Sequence, residues 1–122
     1  MKFRVARHTN DLQRLVDFYS LIPGMEIIGE FKNHSGYDGV FLGIKNSDWH
    51  LEFTVSTDLP KHRPDEDDLL VFYLESEAKF DSIADKFRQN NVAETESKNP
   101  YWKLNGKTYT DPDGFRIVIA KK

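Results

Sequence analysis

His50 and Glu52 are the residues whose types and spacing could most directly do chemistry. They stand two positions apart in residues 50–56, where alternating polar and apolar side chains predict a β-strand. Side chains two positions apart on a strand share a face and lie roughly 6.6 Å apart along it. Together with His8, near the end of the first predicted strand, they offer three donors, enough for a catalytic ion such as Mn, Fe, Ni or Zn. The pattern therefore leaves open a metal site at Glu52, His50 and His8.

Three aromatic residues of the second half are candidates for contact with a ligand. Tyr101 and Trp102 follow an Asn-Pro pair on a predicted loop, which favours a pocket rim over the core. Tyr73 lies in the apolar run 69–74, a predicted strand from which its hydroxyl could project inward. Small-molecule pockets combine aromatic and apolar walls with a few placed polar groups, so these side chains are expected to help line one.

The composition excludes several classes of function. The chain has 122 residues, a mass of 14.2 kDa and a formal net charge of −3, which argues against a primary nucleic-acid role. The lack of cysteine excludes disulfides, thiolate metal sites and a cysteine nucleophile. No dinucleotide fingerprint, phosphate-binding loop, zinc-protease helix motif or nucleophile elbow is present. No stretch approaches the ~20 apolar residues that span a bilayer, and the N-terminus leads straight into a strand pattern, so we expect a cytoplasmic protein without membrane contact.

The elements that position these residues occur in the same order twice. Apolar residues recur at i, i+3, i+4 and i+7 in two predicted helices, which are Leu12, Leu15, Val16 and Tyr19 and then Phe80, Ile83, Ala84 and Phe87. A strand precedes each helix and three follow it, at 25–32, 37–45 and 50–56 in the first half and at 93–97, 107–110 and 115–120 in the second. An Asp-Pro-Asp-Gly segment predicts a tight turn before the last strand.

This repeat predicts an α+β fold of two βαβββ modules, residues 1–57 and 67–122. The intervening residues 58–66 carry two prolines and the start of an acidic run, which is typical of a linker. Two such modules can form one curved mixed sheet with helices outside and a groove inside.

The order of elements resembles the vicinal oxygen chelate superfamily, which includes glyoxalase I, extradiol dioxygenases, and fosfomycin-resistance and bleomycin-resistance proteins. The resemblance rests on the first helix, its exit and the last turn, which read Asn10-Asp11-Leu12 with Asp17-Phe18-Tyr19, Pro23-Gly24-Met25-Glu26-Ile27, and Asp111-Pro112-Asp113-Gly114-Phe115-Arg116-Ile117. It covers nearly the whole chain, and it implies the glyoxalase/bleomycin-resistance/dioxygenase fold and a homodimer.

The resemblance also implies where a metal would be held. Metal-dependent members place ligands on the first and last strand of each half, and these positions correspond here to Arg4, Glu52, Leu69 and Val118. Leucine and valine donate no lone pair, and a guanidinium does not bind a cation, so only Glu52 remains as a ligand. We therefore predict no metal cofactor, and an Arg4–Glu52 ion pair in the place of the ion.

The leading functional hypothesis is metal-independent binding of a small organic molecule, as in the bleomycin-resistance branch. The expected ligand-binding residues are Arg4, His50, Glu52, Tyr73, Tyr101 and Trp102. One alternative is a lyase or dioxygenase of glyoxalase type, with a divalent metal held by Glu52 and nearby histidines. The other is a structural or regulatory dimer without a ligand.

Overall fold

The computed structural model describes residues 1–121 and contains two compact units, the first spanning Met1–Lys61 and the second beginning at His62. Each unit holds one four-stranded mixed sheet. The boundary falls within residues 58–66, while the limits of linker and modules stay predictions. Among residues 1–121, no helix is long and apolar enough to cross a bilayer.

The first unit follows the predicted order of one strand, one helix and three strands. Its elements are β1 (Phe3–His8), α1 (Leu12–Tyr19), β2 (Met25–His34), β3 (Tyr37–Ile44) and β4 (Trp49–Val55). In the sheet the order is β1-β4-β3-β2, with β1 parallel to β4 and the other neighbours antiparallel. The Asp11 carboxylate starts α1 by accepting hydrogen bonds from the backbone N–H groups of Gln13 and Arg14.

The second unit repeats this order with one added helix. Its elements are β5 (Leu69–Leu74), α2 (Glu77–Gln89), β6 (Glu94–Thr95), α3 (Pro100–Asn105), β7 (Gly106–Thr110) and β8 (Arg116–Lys121). The sheet order β5-β8-β7-β6, with β5 parallel to β8, matches that of the first unit. The predicted α+β fold is thereby confirmed.

Each sheet buries one face against its own long helix. The Tyr19 ring of α1 stacks on Phe53 of β4 with 5.4 Å between ring centroids, and both side chains are buried. In the second unit the Phe87 ring of α2 stacks on Tyr109 of β7 at 4.2 Å. Ring stacking and the burial of large aromatic side chains are major sources of stability in a domain of this size. The opposite face of each sheet is thus left for other contacts.

The added helix α3 corrects the sequence prediction, which placed Tyr101 and Trp102 on a loop. The Asn99 side chain accepts a hydrogen bond from the backbone N–H of Tyr101, and Pro100 occupies the first turn. An Asn cap followed by proline is a favourable helix start.

The strand β6 is shorter than the predicted 93–97. Beyond Thr95, the backbone carbonyl of Glu96 accepts a hydrogen bond from the Arg116 guanidinium rather than from a neighbouring strand. Ser97 is held through its side chain, 2.6 Å from the hydroxyl of Thr108. After Thr95, hydrogen bonds to side chains therefore replace the backbone hydrogen bonds between strands.

Candidate functional site

The polar face of the first sheet holds the first group of predicted site residues. It comprises Arg4, Ala6 and His8 of β1 and His50, Glu52 and Thr54 of β4. The two strands are parallel, with Arg4 paired to His50 and Ala6 paired to Glu52. Leu51 and Phe53, which alternate with these residues, are buried on the helix side of the sheet. The predicted sharing of one face is confirmed.

Arg4 is held by three neighbours on this face. Its Nη1 donates to Glu52 Oε1 at 2.8 Å, and its Nε donates to His50 Nε2 at 3.0 Å. The guanidinium carbon lies 5.0 Å from the centre of the Phe41 ring, within cation–π range. The predicted Arg4–Glu52 pair is therefore present. The Arg4 side chain is 51% exposed while that of Glu52 is 14% exposed, so the cation is oriented by a largely buried anion and still reaches solvent.

An aromatic strip borders this cluster on β2 and β3. The Phe41 ring meets His50 edge-on at 5.5 Å and lies 5.8 Å from the Phe31 ring. Glycines make room for both rings, because a Cβ at Gly29 would stand 2.9 Å from Phe41 and one at Gly39 would overlap Phe31. The sequence pattern alone does not indicate that Phe31 lies beside this cluster. Glycines inside strand patterns were the available signal, since they often mark a close approach of another group.

His8 is engaged at the end of the polar face. Its Nδ1 lies 2.8 Å from the Thr54 hydroxyl, and its Nε2 lies 2.9 Å from the backbone carbonyl of Asp58 and 3.1 Å from the Ser56 hydroxyl. A carbonyl oxygen only accepts, so Nε2 carries the proton. Across residues 1–121, no three His, Asp or Glu side chains are grouped so that they could hold a metal ion. The alternative trio of His8, His50 and Glu52 is therefore not brought together as a metal site.

The second group of predicted residues forms an aromatic cluster in the second unit. Tyr73 projects from β5, and the centre of its ring lies 6.4 Å from that of Trp102 of α3. The Tyr101 ring meets Trp102 edge-on, with 4.9 Å between ring centres. Tyr73 and Tyr101 are 58% and 57% exposed. Large, exposed, mutually contacting rings offer an apolar surface with polar hydroxyl tips. The structure thus places Arg4, His50 and Glu52 together in one unit and these three aromatics together in the other.

Strand pairing relates the two units residue by residue. Ala6 pairs with Glu52 in the first unit, and Val71 pairs with Val118 in the second. The residues two positions before Ala6 and Val71 are Arg4 and Leu69, so Leu69 and Val118 are the equivalents of Arg4 and Glu52. Val118 is completely buried. Of the four positions that the resemblance assigns to metal ligands, only Glu52 carries a ligand atom, so the residues present do not make up that donor set.

Comparisons with known proteins agree with this fold and this repeat. Residues 3–54 match the family model of the YycE-like N-terminal domain, and residues 67–121 match that of the YycE-like C-terminal domain. The chain is 42% identical over 121 residues to the uncharacterized protein YycE of Bacillus subtilis (strain 168), covering 97% of this chain and 86% of that protein. The crystal structure of YycE from Bacillus subtilis superposes with a TM-score of 0.86 at 41% identity, covering 98% of this chain and 88% of that one.

More distant structures share the fold alone. Glyoxalase I of Leishmania major aligns with a TM-score of 0.74 at 21% identity, over 97% of this chain and 84% of that chain. TnmS3, an antibiotic binding protein from Streptomyces sp. CB03234, aligns with a TM-score of 0.69 at 19% identity, over 99% and 94%. Through its two matched domains, the chain belongs to the YycE-like family.

Proposed function

We propose that this protein binds a small organic molecule without a resident divalent ion. Arg4, His50 and Glu52 supply the polar contacts, and Tyr73, Tyr101 and Trp102 are the aromatic contact residues of the second unit. The observation that carries the proposal is that the Arg4 guanidinium donates hydrogen bonds to both Glu52 and His50. A fixed, half-exposed cation beside aromatic rings can orient an acceptor group of a ligand.

The superfamily fold is compatible with binding alone as well as with catalysis. TnmS3, which shares this fold at 19% identity, is described as an antibiotic binding protein. Sequestration of a small molecule needs shape and a few polar contacts rather than an activated water or an open coordination position. The side chains at positions 4, 69 and 118 carry no atom that can coordinate a cation, which supports binding without a metal.

Metal analysis of freshly purified protein tests the proposal first. We expect Mn, Fe, Ni and Zn well below one ion per chain, and the same content in wild type and Glu52→Ala. A stoichiometric ion that is lost in Glu52→Ala would refute the proposal and favour the alternative, a metal-dependent lyase or dioxygenase.

A thermal-shift screen of small organic molecules tests binding itself. A ligand that binds only the folded state at about 100 times its Kd adds ~2.7 kcal/mol of stability. We expect hits whose shift is lost in Arg4→Ala but retained in Arg88→Ala, a matched arginine in an exposed ion pair on α2. A complete absence of hits would favour a structural or regulatory dimer instead.

We also propose that the protein works as a cytoplasmic homodimer. Light scattering coupled to size exclusion is expected to give twice the 14.2 kDa mass of the chain. A mass equal to one chain across the accessible concentration range would contradict this part of the proposal.

A further inference from the structure

A cleft on the second unit, which shares no residue with the sites above, is lined by three lysines. We define this lysine cleft by Lys103 and Leu104 of α3, Lys107 of β7, Lys121 of β8, Glu94 of β6 and Phe80 of α2. Its volume of about 340 Å³ lies at the lower end of the range found for small-molecule pockets. Because the lysines come from three different elements, their convergence is a property of the tertiary fold.

The charges that line the cleft are unbalanced. Three ammonium groups face one carboxylate, Glu94, which leaves a net lining charge of +2. The carboxylates that pair with Lys103 and Lys121 belong to Glu96 and Glu77, which do not line the cleft. With all three glutamate partners counted the charges balance, but only the Glu94 carboxylate lies in the lining, so the ammonium groups are the main charged groups that face the cleft.

The lysine side chains are oriented rather than loose. Each Nζ donates to one glutamate oxygen, at 2.8 Å for Lys103, 3.1 Å for Lys107 and 2.8 Å for Lys121. An ammonium has three N–H donors, so each can serve a further acceptor. The hydrogen bond from Lys121 to Glu77 raises the pKa of Lys121 above its ordinary value, so this pair stabilises the charged form of the lysine.

Apolar surface accompanies the charge. Leu104 is 87% exposed, and the Lys121 ammonium lies 5.1 Å from the centre of the Phe80 ring. Bare inorganic ions gain nothing from such surface, whereas an organic anion can cover it.

From these observations we propose that the lysine cleft is a second binding site, for a small organic dianion of the phosphate-monoester class. The two negative charges would meet the three ammonium groups, and the apolar body would pack against Leu104. The site is independent of the proposed function, because its residues belong to neither the Arg4 cluster nor the aromatic cluster.

Two-dimensional ¹H–¹⁵N NMR of the full chain at low ionic strength tests this site with phenyl phosphate as the probe. We expect saturable shifts at residues 103–107 and 121, with weaker binding of benzoate, which has one charge, and of inorganic phosphate, which has no apolar body. Benzoate or inorganic phosphate binding as tightly as phenyl phosphate would overturn the assigned ligand class.

Lysine-to-glutamine variants locate the site. Lys103→Gln, Lys107→Gln and Lys121→Gln should each raise the Kd for phenyl phosphate by roughly two- to fivefold, as expected for single exposed charge contacts. Lys79→Gln is the matched control, because Lys79 makes the same kind of pair with Glu75, at 3.1 Å, outside the cleft. No saturable shift in the wild type, or an equal loss in Lys79→Gln, would overturn the proposal, and the retained spectrum of each variant shows that it is folded.

Discussion

Arg4 combines an anchored side chain with an exposed charge. Three contacts fix the guanidinium, yet half of the side chain remains accessible. An ion pair that retains this much contact with water is screened and contributes modestly to folding. The arrangement therefore serves orientation of the cation more than stability of the sheet.

Glu52→Ala is expected to lower the free energy of unfolding by about 1 kcal/mol, because the Arg4 charge left behind is still solvated. The loss of a fully buried pair would cost about 3–5 kcal/mol instead. Urea unfolding of wild type, Glu52→Ala, Arg4→Ala and the double variant measures the coupling energy between Arg4 and Glu52. Asp85→Ala, which breaks the exposed Arg88–Asp85 pair, is the control and should cost less than about 0.5 kcal/mol. A cost above 3 kcal/mol for Glu52→Ala would show that the pair acts as a buried one.

His8 and Ser56 illustrate how hydrogen-bond direction decides between chemical roles. The Ser56 Oγ lies 3.1 Å from His8 Nε2, which is within range of a nucleophile and its general base. The same Nε2 donates its proton to the Asp58 carbonyl, and a protonated nitrogen cannot accept the serine proton. This pair fastens the chain after β4 to the end of β1 rather than activating a nucleophile.

The sequence allowed the Arg4 cluster to be predicted in part. Alternation placed Arg4, His50 and Glu52 on one face, and the resemblance suggested that Arg4 and Glu52 would meet. The contributions of Phe41 and Phe31 depend on which residues stand opposite each other across β2 and β3. That register is interrupted after Ile27 and again after Phe31, and no sequence period encodes such irregularities.

At the scale of elements, α3 combines a favourable N-terminal cap with side chains that are all at least partly exposed. None of its residues is buried, so capping contributes much of what holds it. Periodicity cannot detect six residues without a buried stripe, whereas α1 and α2 were predicted because their apolar residues repeat every turn. The Asn-Pro pair at 99–100 is the available signal, and it is typical of loops as well as of helix starts.

Asn99→Ala is expected to fray α3 at a cost of about 0.5 kcal/mol, the lower end of the range for a lost N-cap. Trp102 sits on this helix, so its emission should shift to the red in a Trp49→Phe background. Asn99→Asp retains a capping oxygen and is expected to leave the emission unchanged. An unchanged emission in Asn99→Ala would mean that contacts other than the cap hold the helix.

The stacking of Tyr109 of β7 on Phe87 of α2 predicts that the folded state loses stability at alkaline pH. Burial, reinforced by the Glu94 carboxylate and opposed by Arg88, raises the pKa of Tyr109 from 10 to about 12. The folded state thus favours the neutral phenol. The stability that the neutral phenol contributes is fully present below pH 10, the pKa of this tyrosine in the unfolded chain, and it is lost as the pH rises toward 12.

Tyr109→Phe should therefore lose less stability than wild type between pH 10 and 12, since it keeps the ring stacked on Phe87 and cannot ionise. Melting temperatures measured from pH 8 to 12 test this. Tyr73→Phe, at an exposed position, is the matched control and should follow the wild type. Parallel alkaline curves for Tyr109→Phe and wild type would contradict the assignment.

At the scale of the whole molecule, the segment between the units is fastened at both of its ends. The Asp58 carbonyl accepts from His8 in the first unit, and the His62 ring meets Phe115 edge-on at 5.1 Å in the second. Between them Leu59 is 74% exposed. Within the predicted linker, we therefore expect insertions to be tolerated best at residues 59–61.

A four-residue Gly-Ser insertion between Pro60 and Lys61 should be tolerated, because doubling the length of a flexible loop costs only ~0.6 kcal/mol. The same insertion between Pro112 and Asp113 serves as the control. In that turn the buried Asp111 carboxylate accepts hydrogen bonds from the backbone N–H groups of Asp113 and Phe115 at 2.9 and 3.1 Å. Separating these groups would leave a buried charge without its donors, at a cost of about 1.5–3 kcal/mol for each bond. Urea unfolding should thus show a near-native midpoint for the first insertion and a strongly lowered one for the second. A comparable loss in both would mean that residues 59–61 are part of a packed structure rather than a connection between two units.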